Sequence, residues 1–167
     1  RYSTGSSDSI KDLQKQVEQK RKEDLLQLSE LLTKNPILAK ESESYQLDTS
    51  DPSQILAQLK ETIKKDFPEA PDANFTVKYV DEALEDYLSP AFYLTSPIDD
   101  YKENSIYINE GSHYEKMKLF TTLAHEGFPG HLYQNVFANT SGLPSVRQLL
   151  NYSGYTEGWA TYVEMIS

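Results

Sequence analysis

Two of the three histidines in this sequence, His125 and His131, stand six residues apart, with Glu126 directly after the first and Pro129 between Gly127 and Gly130. A second unusual run, Thr156 to Glu164, follows; it holds Glu157, Glu164 and the only tryptophan, Trp159. Imidazole and carboxylate together suit a divalent metal, zinc first. The chain has no cysteine, so disulfides, thiol catalysis and cysteine-type zinc fingers are excluded, and any metal site must be built from histidine and carboxylate.

Zinc peptidase helices space two histidines four apart, so that the side chains leave the helix only about 40° from each other. In an unbroken helix His125 and His131 would be turned by about 600° and separated by about 9 Å of rise, and could not share an ion. Pro129 changes that. It has no N–H for the carbonyl of His125, and its ring clashes there in a regular helix. The glycines on either side make a departure from helical geometry cheap. The expected geometry is an interrupted helix that loops two residues out and returns both imidazoles to one side.

Glu126 would then sit beside the metal as a general base, taking a proton from a polarised water and handing it to a leaving amine. A catalytic zinc needs a third protein ligand and an open position. Glu157, at the start of a helix, is assigned as that ligand. Glu164 lies two turns further on the same face and is assigned to orient a histidine, with the reverse assignment left open. His113 is read as a surface or capping residue in preference to a ligand, and Gly158-Trp159-Ala160 as core packing.

The elements that must position these residues read as α+β, predominantly helical. Helices are expected at 8–34, capped by Asp8, and at 52–67, behind Asp51-Pro52. Residues 35–50 read as an irregular polar segment. Alternating β-branched and aromatic runs at 75–80, 91–95 and 105–109 predict a small sheet of about three strands, antiparallel. Further helices follow: one capped by Ser112 through the histidine run, one near 145–151, and one from Thr156 onward. The composition shift at Phe75 divides a helical N-terminal segment, 1–74, from a metal-site core, 75–167, within what reads as one domain of a longer protein.

A net charge of −10 argues against nucleic acid or an anionic membrane as partner. No apolar run approaches the length of a membrane span. Oligomeric state is not legible.

The two runs resemble the bacterial family known as domain of unknown function 885, whose motifs are His-Glu-x-x-Pro-Gly-His-x-x-Gln and Glu-Gly-Trp-Ala-x-Tyr-x-Glu. They stand here as His125 to Gln134 and Glu157 to Glu164. The resemblance implies a zincin-like metallopeptidase of the glutamate-ligand type, with a zinc ion and a peptide substrate, in a parent several times this length. It also implies a bacterial source, with a cell-surface or extracellular, lipoprotein-like parent as the expectation. In similar peptidases an edge strand ahead of the metal helix pairs with the extended substrate; Ser105, Ile106, Tyr107, Ile108 and Asn109 are the candidate. Such enzymes also steady the oxyanion with a tyrosine, histidine or arginine, often downstream of the third ligand; Tyr152 and Tyr155, just ahead of Glu157, are the candidates within this chain. Three other readings compete: a metal-binding module without turnover, histidines that only pack around a proline kink, and a helical interaction domain using the long N-terminal helix.

Overall fold

The structure is a computed structural model that describes residues 5–69, 74–97, 99–112, 115–144, 146–150 and 152–167. The packing divides between Gln46 and Leu47. The earlier unit holds α1 (Ile10–Lys34) and α2 (Pro36–Ser44). Ser9 caps α1 by accepting the Asp12 N–H at 3.2 Å, in place of the expected Asp8. The helix ends at Asn35, whose side chain and N–H both bond the Leu31 carbonyl. Pro36 opens α2 at a position where a missing N–H costs nothing, so part of the segment expected to be irregular is helical.

The later unit is α+β. Its helices are α3 (Pro52–Thr62), α4 (Lys116–Glu126), α5 (His131–Thr140), α6 (Val146–Leu149) and α7 (Ser153–Ile166). Its strands are β1 (Asn74–Tyr79), β2 (Ala91–Leu94) and β3 (Glu103–Ile108). Asp51 caps α3, accepting from the Gln54 N–H at 2.8 Å. The chain after α3 tightens into a 3-10 turn at Ile63–Lys65, and another 3-10 helix at Glu82–Tyr87 leads into β2. Ser112 lies in a 3-10 turn and does not cap α4; Glu115 stands at that N-cap.

The sheet corrects the expected antiparallel arrangement. Its order is β1-β3-β2, with β1 and β3 parallel and β2 antiparallel to β3. The crossover from β1 to β3 carries the 82–87 helix and β2, long enough for a parallel return. β3 is therefore central, and both its edges are taken. Its side chains alternate, with Asn104, Ile106 and Ile108 buried.

That inward face meets α3 and α4. Ile55, Leu56 and Leu59 of α3, Ile106 and Ile108 of β3, Leu119 and Leu123 of α4, and Leu132 and Val136 of α5 form one buried cluster. The composition shift at Phe75 is a change of element type, since α3 packs within the same core as the residues after it. α7 closes the core with Ala160 and Val163, both wholly buried.

Candidate metal centre

α4 stops at Glu126 and α5 starts at His131, so the break falls on Gly127 to Gly130. The Phe128–Pro129 peptide is cis. Both glycines are demanded by close approach. A β-carbon on Gly130 would overlap the carbonyl oxygens of His125 and Ala124, and one on Gly127 would overlap Leu56 Cδ2 and crowd the Leu123 carbonyl at 2.8 Å. Phe128 folds inward, 2% exposed, with its ring edge-on to Phe75 at 5.6 Å between centroids. An apolar anchor thus holds the looped-out residues. The Tyr133 N–H reaches back to the Gly127 carbonyl at 3.1 Å, and the Gln134 N–H to the Gly130 carbonyl at 2.9 Å, which restarts the helix.

The break brings the two imidazoles together. Their ring centroids are 4.8 Å apart and nearly perpendicular, at 83°. α7 packs on α4 and α5 and sets Glu157 opposite them. Glu157 Oε2 stands 3.7 Å from His125 Nε2 and 3.6 Å from His131 Nε2. One donor atom from each of the three residues falls within 4.8 Å of the others. Donors about 2.0–2.1 Å from a tetrahedral ion lie about 3.3 Å from one another, so this donor set fits zinc with small adjustments. Both histidine side chains are about four-fifths buried, whereas Glu157 is 62% exposed, which leaves one side of the cluster open.

Glu164, two turns beyond Glu157, accepts from His125 Nδ1 at 3.0 Å. A carboxylate can only accept, so this contact places a proton on Nδ1, and Nε2 is the ring atom directed at Glu157. Between the two assignments left open by spacing, the geometry puts Glu157 in the cluster and Glu164 behind His125.

Glu126 is half-buried and does not belong to the donor set. Its Oε2 accepts the backbone N–H of Tyr93 in β2 at 2.8 Å. Burial pushes its carboxyl above the ordinary value; the Tyr93 N–H, His131 and His125 pull the other way, and Glu157 adds to the rise. The carboxylate thus has one oxygen fixed by the strand while the side chain stands beside the histidines.

Other expectations fare differently. Ser105 to Asn109 is not an edge for a substrate, because β3 lies between β1 and β2. Among the described residues, the unpaired strand edge nearest Glu126 is that of β2, whose Tyr93 N–H bonds it. Asn109 is wholly buried and spends its side-chain amide on the Glu85 and Leu88 carbonyls. Tyr155 is 63% exposed in the first turn of α7 and Tyr152 58% exposed just before it. Tyr155 precedes Glu157 by two residues, a turn of about 200° that sends it off the opposite face. Neither tyrosine is brought to the histidines among the described contacts. His113 lies outside the described residues, as do Ser145 and Asn151 of the helix expected at 145–151.

Trp159 is core packing, as expected, and something more. Its ring packs against Phe67, Tyr133 and Tyr162, and its indole N–H donates to the Pro129 carbonyl at 2.7 Å. Sequence reasoning missed that bond, the Tyr93 N–H on Glu126, and Asn135, which joins α5 to β2. The position of Asn135, one turn after His131, was the available signal.

The match to known families bears on the whole chain: the model for bacterial proteins of unknown function, DUF885, covers residues 6–167. The chain belongs to the DUF885 family. No curated protein matches it. Among solved structures, a protein from Colwellia psychrerythraea described as a "putative lipoprotein" is similar, with a TM-score of 0.61 and 27% identity. That match covers 70% of this chain and 20% of the Colwellia chain, so this sequence corresponds to about a fifth of that protein's length.

Proposed function

We propose that this chain carries the metal centre of a zinc-dependent peptidase, with His125, His131 and Glu157 as ligands and Glu126 as general base. The observation that carries the reading is the approach of one Glu157 oxygen to both histidine Nε2 atoms, at 3.7 and 3.6 Å, on the open side of an otherwise buried pair.

A zinc ion held by these residues supplies Lewis-acid polarisation of a water and of the scissile carbonyl. Glu126 takes a proton from the attacking water on its carboxylate. The water oxygen bonds to the carbonyl carbon, and the proton then passes from Glu126 to the amide nitrogen as the C–N bond breaks, giving a carboxylic acid and an amine. The hydrogen bond from Tyr93 N–H holds the carboxylate in place for both transfers.

A peptide is the substrate class that the motif resemblance implies. The Asn109 N–H bonds the Pro90 carbonyl, so by strand alternation residues 90, 92 and 94 face β3 while Tyr93 turns its N–H away from β3, toward Glu126. The lipoprotein description of the Colwellia protein supports a surface or extracellular setting for the parent.

Metal content after purification with zinc supplied tests the centre: one zinc per chain is expected in the wild type, and none in His125→Ala or His131→Ala. A wild-type chain without zinc overturns the proposal. Catalysis is tested in the full-length parent, where Glu126→Gln should keep the metal and lose peptide hydrolysis. Undiminished hydrolysis in that variant removes Glu126 as the base.

A further inference from the structure

A polar network lies under β2 and does not touch the donor set. Asn135 of α5 directs its side-chain amide to the Tyr93 hydroxyl at 3.0 Å and to Ser96 Oγ at 3.1 Å. The Tyr93 hydroxyl donates in turn to Asn104 Oδ1 at 2.6 Å, and the Ser96 N–H reaches the same hydroxyl at 3.4 Å. Asn104, 2% exposed, spends its amide on the carbonyls of Asn74 and Tyr101. The hydroxyl of Tyr93 is thus satisfied as donor and acceptor, on partners from three separate parts of the chain.

Tyr93 joins two systems. Its side chain ends in this network, and its backbone N–H holds Glu126 Oε2 at 2.8 Å. Asn135 stands four residues after His131, on nearly the same face of α5. A continuous path therefore runs from the His131 helix through Asn135 and Tyr93 to the carboxylate at the end of α4. β2 contributes only four residues and has one free edge, so its pairing with β3 alone restrains it weakly on the side where Glu126 binds.

We propose that Asn135 is a positioning residue for Glu126: through the Tyr93 hydroxyl it locks β2 to α5 and fixes the N–H that orients the carboxylate. As a statement about catalysis this rests on the proposed function, since Glu126 matters there as the base. As a statement about geometry it stands alone. A network that served only the stability of β2 would leave the Glu126 contact as it is once the fold is intact.

The amide of Tyr93 reads the difference. It faces away from β3, and among the described residues Glu126 is its partner. Hydrogen exchange at this amide, followed by NMR in the metal-free 167-residue chain, therefore reports the Glu126 contact directly. Glu126→Ala sets the rate of the free amide. Asn135→Ala and Tyr93→Phe should each speed exchange at position 93 by about tenfold, the effect of losing one hydrogen bond's restraint, while the amides of Leu123 and Ile106 keep their wild-type protection. Asn135→Asp, which keeps the side chain's size and removes its donors, should also speed exchange at position 93 and serves if Asn135→Ala does not fold. A wild-type rate at position 93 in these variants, with the core protected, overturns the positioning role. The experiment uses no metal and no substrate. A chain that binds no zinc would sink the proposed function and leave this result standing, and an unchanged Tyr93 amide would do the reverse.

Discussion

Trp159 donates its indole N–H to the carbonyl oxygen of Pro129 at 2.7 Å, tying α7, which carries Glu157 and Glu164, to the break that separates His125 from His131. The break and the helix opposite it are thereby held as one piece. Trp159→Phe keeps an aromatic ring against Phe67 and Tyr133 but leaves the Pro129 carbonyl unpaired. We expect a loss of about 1–3 kcal/mol in urea unfolding and weaker zinc binding in a competition titration with a coloured chelator. An unchanged unfolding midpoint would show that the bond does not hold the break.

The glycines of the chain should divide sharply on substitution. Gly130→Ala pushes a methyl into the His125 and Ala124 carbonyls, where backbone must move. A cost of about 3 kcal/mol or more is expected, read as a large drop in melting temperature. Gly158 is the contrast: it lies within α7, and a β-carbon there meets nothing within 4 Å. Gly158→Ala should stabilise by about 0.5–1 kcal/mol. Equal effects at the two positions would contradict the packing described for the break.

Glu164 and Glu157 should separate by degree. Glu164→Ala removes the acceptor on His125 Nδ1, and such supporting groups are typically worth about 10–100-fold in metal affinity. Glu157→Ala removes a donor itself and should weaken zinc binding further. Isothermal titration orders the two variants; a larger loss for Glu164→Ala would exchange their assignments.

Leu56 supports the break from beneath. It is wholly buried in α3, and its Cδ2 is the atom that a side chain on Gly127 would strike. Leu56→Ala should cost about 2–5 kcal/mol in chemical unfolding. A surface-like cost below about 0.5 kcal/mol would mean that α3 does not pack under the histidine run.

Much of the fold was legible from local patterns. The helices α1 and α3 follow from apolar spacing, α3 also from Asp51-Pro52. The three strands follow from alternation, which depends only on neighbours two residues apart. Residues 36–44 carry too little periodicity to mark a helix, and Asn35-Pro36 reads as a stop although Pro36 also opens α2. The sheet's order was out of reach for a different reason. Alternation marks a strand but not its partner, so it cannot tell that β1 and β2 flank Glu103–Ile108 and leave Ser105 to Asn109 no free edge.

The same division runs through the candidate site. Residue types and spacing already require the helix to break between His125 and His131, because proline cannot donate to the His125 carbonyl and its ring cannot fit there. They also place Glu157 and Glu164 on one face, because seven residues make two turns. What those local facts add up to is set by the packing of elements far apart in the chain. Whether Glu157 or Glu164 faces both histidines depends on how α7 docks on α4, and that docking is set by Trp159, Ala160 and Val163 against the core. Which backbone group holds Glu126 depends on β2, 33 positions earlier in the chain. Local backbone chemistry acts over a few residues, whereas these partners are chosen by the packing of distant elements, which no spacing along the chain encodes.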